Sequence, residues 1–249
     1  MRALSPALLV SLQQKRHTAL LVTIVAAFLV RPLCGESLAT TIVFSIAMMA
    51  LLLVALYATQ VDELMGERQL LLTQRRHRSV AAWVLAVPAF AERLYTTFVP
   101  THRMYVVTAS TWLLFFGFVT WIQLRNLLKH KEVTSETIAM SVSTYLLLAI
   151  AWGALYTLIY ALQPTAFDFG PAQPPAALPS ERQNAIPIFI YFSLTTLSTI
   201  GLGDILPLSL QARYAVVAEG VTGQFYLAIL VARLVGMHMS NPVRPSPEA

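Results

Sequence analysis

Six long apolar blocks, at about residues 17–34, 38–58, 79–98, 104–128, 137–162 and 208–237, restrict the fold more than any other feature. A helix that crosses a bilayer needs roughly 20 apolar residues. Backbone polar groups inside lipid must be satisfied within the segment, which selects helices. Composition agrees, with 57% hydrophobic and only 12% charged residues, where a soluble domain carries about 25% charged. The expectation is an all-α membrane protein whose first partner is the lipid bilayer. A net charge of +5 would suggest nucleic acid for a soluble chain. Here the Lys and Arg residues gather in loops flanking the apolar blocks, as topology requires, so no nucleic-acid partner is expected. Cys34 is the only cysteine, and His17, His77, His102, His130 and His238 are scattered, so no metal or disulfide site is indicated.

The first block follows Lys15 and Arg16 and ends near Arg31-Pro32. It resembles a signal peptide only in its basic start, since no convincing small-residue cleavage site follows it. The third block is the weakest, holding Pro88 and the pair Glu92-Arg93. With the N-terminus inside, twelve of the Lys and Arg residues fall on the cytoplasmic side and five (Arg31, Arg93, Arg103, Arg182, Arg213) on the outer side. This bias predicts both termini in the cytoplasm of a multi-pass protein of the cell membrane. The expected divisions are a four-helix peripheral domain over 1–130, a pore-forming module over 131–240 and a short tail over 241–249.

Residues 163–185 carry Pro164, Pro171, Pro174, Pro175 and Pro179 and read as an outer loop. Pro187 then marks a helix start, and the apolar run from Ile188 to Ser198 is too short to span, which predicts a re-entrant helix. It leads into Thr199-Ile200-Gly201-Leu202-Gly203-Asp204. Non-helical backbone at membrane depth must be buried in protein or line water. Selecting a dehydrated cation requires backbone carbonyls arranged like its lost water shell. For successive carbonyls to face one way the residues must alternate in handedness, and glycine reaches positive φ without steric cost. Gly201 and Gly203, two apart, meet that demand. Ile200 and Leu202 are then expected to turn their side chains away from the axis into surrounding packing. Thr199 adds its carbonyl and hydroxyl at the inner mouth, and the carbonyl end of the short helix favours a cation.

This run resembles the filter signature of the potassium-channel superfamily, usually Thr-Val/Ile-Gly-Tyr-Gly-Asp. The resemblance extends upstream to Tyr191, Phe192, Thr195 and Thr196 and downstream to Gly220 and Gly223, over about residues 137–238. It implies an outer helix, pore helix, filter and inner helix repeated around a fourfold axis by a homotetramer. K⁺ would be the permeant ion, held at Thr199, Ile200, Gly201 and Leu202, with Gly203 completing the filter and no other cofactor. Asp204, Thr195, Thr196, Tyr191 and Glu219 would support the filter. Gly220 and Gly223 would form the gating hinge, and Gln224 would face the cavity. Glu219 is expected to pair with Arg213 or to brace the back of the filter. Arg233 reads as a snorkelling anchor.

Two departures from the family pattern matter. Leu202 replaces the usual tyrosine, removing a hydroxyl that would brace the filter and leaving a weakly selective K⁺/Na⁺ channel as the alternative. Residues 104–128 hold only Arg125, at one end, whereas voltage sensing needs several charges crossing the field. Steep voltage sensing is therefore not expected, and a non-conducting subunit of a mixed channel is a third option. Gly201-Leu202-Gly203-Asp204 also matches the Gly-x-Gly-Asp signature of intramembrane aspartyl proteases. That chemistry needs two carboxylates in one site, and only Asp62 and Asp168 remain, both in loops. The chain is read as a channel and not as an enzyme.

Overall fold

The structure is a computed structural model that describes residues 16–34, 38–65, 83–88, 91, 102–130, 134–170 and 185–240. In chain order the helices are α1 (Arg16–Cys34), α2 (Leu38–Met65), α3 (His102–Lys129), α4 (Ser135–Leu162), α5 (Ala185–Leu197) and α6 (Leu210–Ser240). Between α4 and α5 lie a 3₁₀ turn, Pro164–Ala166, and the two-residue strand β1 (Phe167–Asp168). Strand β2 (Leu206–Pro207) lies between α5 and α6. Among the described residues, three helices are long and apolar enough to cross a membrane: Val106–Lys129, Ser135–Leu162 and Leu210–Arg233. The first two expected spans are helical, with shorter apolar stretches at Arg16–Leu29 and Val43–Ala58. Most of the third expected span, and the tail over 241–249, lie outside the described residues.

Local signals set the starts of α4 and α6. Thr134 caps α4, its side chain accepting from the Thr137 backbone N–H at 3.2 Å, with Glu136 in the first turn. Ser209 does the same for α6, accepting from the Ala212 N–H at 3.2 Å. The chain directly after α4 folds back on the chain after the glycine segment. Phe167 and Asp168 pair antiparallel with Pro207 and Leu206, and the Leu208 N–H donates to the Ala166 carbonyl at 2.8 Å.

The main core joins the front helices to α4 and α5. Leu20, Ile24, Met48, Leu51, Phe115 and Phe116 pack in one cluster with Leu147, Ile150 and Ile190. Residues on both sides of the expected division at 130 therefore share one packed interior. Glu136 at the start of α4 accepts from the His17 N–H at 3.2 Å and the Thr18 hydroxyl at 2.5 Å, tying the start of α1 to it. A second cluster, aromatic, seats the pore-side helix: Tyr156 and Phe167 surround Phe189 and Phe192, with Phe167–Phe189 ring centres 4.8 Å apart. The tryptophans differ in their surroundings. Trp112 is buried, but Trp121 and Trp83 are exposed on the single chain.

Candidate functional site

Helix α5 has thirteen residues, about 20 Å at 1.5 Å per residue, short of a hydrocarbon core of about 30 Å. It ends in a turn at 198–199, and residues 200–204 are not helical. Thr199, Gly201 and Gly203 have φ of 60°, 56° and 76°, so every second residue is left-handed. Alternating handedness is the backbone pattern that allows successive carbonyls to face one side of a chain. Glycine adopts it freely. Thr199 is the only left-handed residue other than glycine among those described, at a cost of about 1–2 kcal/mol. The carbonyl end of α5 holds the segment in place: Ser198 N–H donates to Leu194 O at 3.1 Å, Thr199 N–H to Thr196 O at 3.0 Å, and Gly201 N–H to Thr195 O at 3.0 Å. These bonds take up orphan carbonyls that every helix end must satisfy.

The residues singled out in sequence meet around this segment. Tyr191 donates to Asp204 Oδ2 at 2.8 Å, linking α5 to the residue after the glycines. Thr195 is buried, its hydroxyl donating to Phe192 O at 2.8 Å. The Thr199 hydroxyl donates to Ser198 O at 2.6 Å. Ile200 and Leu202, expected to turn into surrounding packing, are 65% and 62% exposed on the single chain. Leu202 also edges a cleft of about 260 Å³ shared with Phe192, Thr196, Ile205 and Val216.

Residues 144–239 match the family model described as ion channel. The matched stretch contains α5, the glycine segment and most of α4 and α6. It supports an ion channel and, with it, a protein that is not an enzyme. No curated protein and no solved structure matches the chain.

Behind the glycine segment, the expected pairing of Glu219 with Arg213 does not occur. Arg213 is exposed, and its Nε donates to Pro207 O at 3.1 Å. Glu219 is fully buried and is bonded instead by the Tyr156 hydroxyl at 2.5 Å and by the Ser193 hydroxyl. One turn further along α6, Gly223 lies against the end of α5. A Cβ there would meet Leu197 O at 2.5 Å, while one on Gly220 would meet nothing within 4 Å. The two glycines expected to act together as a hinge are thus sterically unlike, and α6 is one continuous helix through both. The same Leu197 carbonyl accepts from Tyr145 at 3.0 Å. Gln224 is exposed. Arg233, expected to be a snorkelling anchor, donates to the His130 carbonyl at 2.5 Å.

Sequence reading missed Tyr145, Tyr156, Ser193 and Leu197. A signal existed for the tyrosines: eleven residues apart, they share a face of α4. It did not say which helix that face would meet.

Proposed function

We propose that this chain is a subunit of a potassium-selective channel of the cell membrane. In this reading four identical copies line one pore with the carbonyls of Thr199, Ile200, Gly201 and Leu202, which replace the hydration shell of K⁺. The observation that carries it is the left-handed backbone at Thr199, Gly201 and Gly203, directly after a helix too short to span. Such an arrangement presents a row of main-chain oxygens in one direction. Exposed at membrane depth, those oxygens must face water or protein, not lipid.

The bare face of α6 supports the assembly. Tyr214, Val217, Phe225 and Val231 are all more than half exposed, as is fitting for a helix that meets other copies. Gln224, exposed among them, suits a water-filled cavity better than lipid. Thr195, Thr196, Tyr191 and Asp204 hold the filter, Tyr191–Asp204 acting as its outer clasp. Glu219 supports it from behind. Gly223 serves close packing against the pore helix, and bending at Gly220 remains sterically free. The front helices form a six-span subunit with both termini inside and, with Arg125 the one basic residue over 104–128, no steep voltage sensing.

Purified protein reconstituted in vesicles under opposed K⁺ and Na⁺ gradients tests the reading. A reversal potential near that of K⁺ is expected. A potential midway between the two ions would establish the weakly selective alternative that Leu202 allows, and absence of current would leave a non-conducting subunit. Cross-linking that stops at fewer than four copies would overturn the tetramer.

A further inference from the structure

Three hydrogen bonds meet around Glu219, and two hydroxyl protons cannot supply them. Ser193 Oγ lies 2.8 Å from the Ala149 carbonyl and is also bonded to Glu219 Oε1. Tyr156 Oη lies 2.5 Å from Glu219 Oε2. Serine and tyrosine each own one proton, and a carbonyl or an ionised carboxylate owns none to give. If Ser193 gives its proton to Ala149, then Ser193 Oγ and an ionised Glu219 Oε1 are two acceptors held in contact. A proton on Glu219 resolves this. Tyr156 then donates to Oε2, Oε1–H donates to Ser193, and Ser193 donates to Ala149. Burial leads to the same state. Glu219 is 0% exposed, its bonding partners are hydroxyls, and no cationic side chain is bonded to it among the described residues. An ionised carboxylate so placed would be strongly disfavoured.

We propose that Glu219 is carried as a neutral carboxylic acid whose proton is donated to Ser193, making it a positioning residue for the pore helix. The relay runs through all three helices of the pore module: Glu219 on α6, Ser193 on α5, and Ala149 and Tyr156 on α4. Ser193 lies one turn before Leu197, where Gly223 and Tyr145 make the second contact. Losing the proton would force Ser193 to choose between α4 and α6 and would loosen α5 just behind the segment it aims. The consequence for selectivity, though not the protonation itself, rests on the channel reading above.

The full chain, as wild type, Glu219→Gln, Glu219→Val and Ser193→Ala, is reconstituted in phosphatidylcholine vesicles. The infrared difference between wild type and Glu219→Gln at neutral pH should contain the carbonyl stretch of a protonated carboxyl. That band should move in Ser193→Ala, where the acid loses its acceptor. An ionised carboxylate band in its place overturns the proposal. The glutamine amide can donate to Ser193 and accept from Tyr156, so its melting temperature should stay close to wild type. Glu219→Val and Ser193→Ala should each fall by roughly 5 °C. Glutamine melting as low as valine would also overturn the proposal. The K⁺/Na⁺ permeability ratio of Ser193→Ala should drop below that of wild type, and an unchanged ratio would refute the positioning role. A wild type without K⁺ selectivity would instead remove the channel reading, while the infrared and melting results still decide the proton.

Discussion

Helices α4 and α6 have similar apolar sequences and opposite surroundings. Half of the spanning stretch of α4 is buried inside the chain, against 11% of that of α6. Helix α4 spends its surface on α1, α3 and α5, which close around it. Helix α6 gives the chain one stripe, with Ala212, Glu219, Gly223 and Tyr226 buried along it, and leaves most of its other side chains exposed. Lipid would cover either helix, so apolar character alone does not separate them. What separates them is where the exceptions to it lie. On α4 the hydroxyls of Ser141, Ser143, Thr144 and Thr157 are buried and turned back to their own helix carbonyls. On α6, Gln224 is left open beside bare aromatic and aliphatic side chains. A helix so finished is made to meet something outside its own chain.

The largest effect expected from breaking this contrast is at the segment α6 flanks. Gly203→Ala forces a side chain into a backbone with φ of 76°, a penalty of about 1–2 kcal/mol in each chain. K⁺ flux into vesicles should fall at least roughly tenfold, since about 1.4 kcal/mol is a factor of ten. A variant that conducts like wild type would end the carbonyl-filter reading. Next comes the stripe itself. Gly223→Ala places a methyl 2.5 Å from Leu197 O, and overpacking of this kind costs about 1–3 kcal/mol. Thermal melting should show the loss, while Gly220→Ala, with open space around it, should gain up to about 1 kcal/mol in helix propensity. Equal behaviour of the two would mean that close packing is not what Gly223 supplies.

The bare face offers the third comparison. Phe225→Ala removes a 63% exposed ring from α6, and Val142→Ala trims a 42% exposed side chain on α4. About ten lost atom contacts at ~0.1–0.2 kcal/mol each would weaken the assembly by about 1–2 kcal/mol per interface. Size analysis in detergent should find smaller species for Phe225→Ala and none for Val142→Ala. The reverse result would place the interface on α4. Tyr191→Phe should have the smallest effect. It deletes one half-exposed hydrogen bond to Asp204, about 1 kcal/mol. The K⁺/Na⁺ permeability ratio should shift severalfold with melting nearly unchanged.

Much of the segment from α5 to α6 was legible in sequence because its constraints are local. Pro187 and the short apolar run marked a short helix, and two glycines spaced by one residue marked the left-handed backbone. Thr199 shows the limit of that reasoning. Threonine has no intrinsic preference for positive φ, and its conformation follows from the bonds that Thr195 and Thr196 carbonyls make to the turn. Glu219 shows another. As an acid in an apolar span it stood out, but the charge six residues away seemed its natural partner. The helix rise carries Arg213 to the outer end, where Pro207 O takes it up, and the site of Glu219 is set by neighbours from two other helices.

The sequence by itself determined that this chain is a helical membrane protein, that one of its apolar helices is short, and that the backbone after that helix is left-handed at two glycines. Those follow from side-chain polarity and from the φ range of glycine, properties that each residue carries wherever it is placed. Only the tertiary structure decided that Gly223 and not Gly220 lies against α5, and that Glu219 is bonded by hydroxyls and not by arginine. Both outcomes depend on which face of α6 meets α4 and α5, and packing between distant segments fixes that rotation.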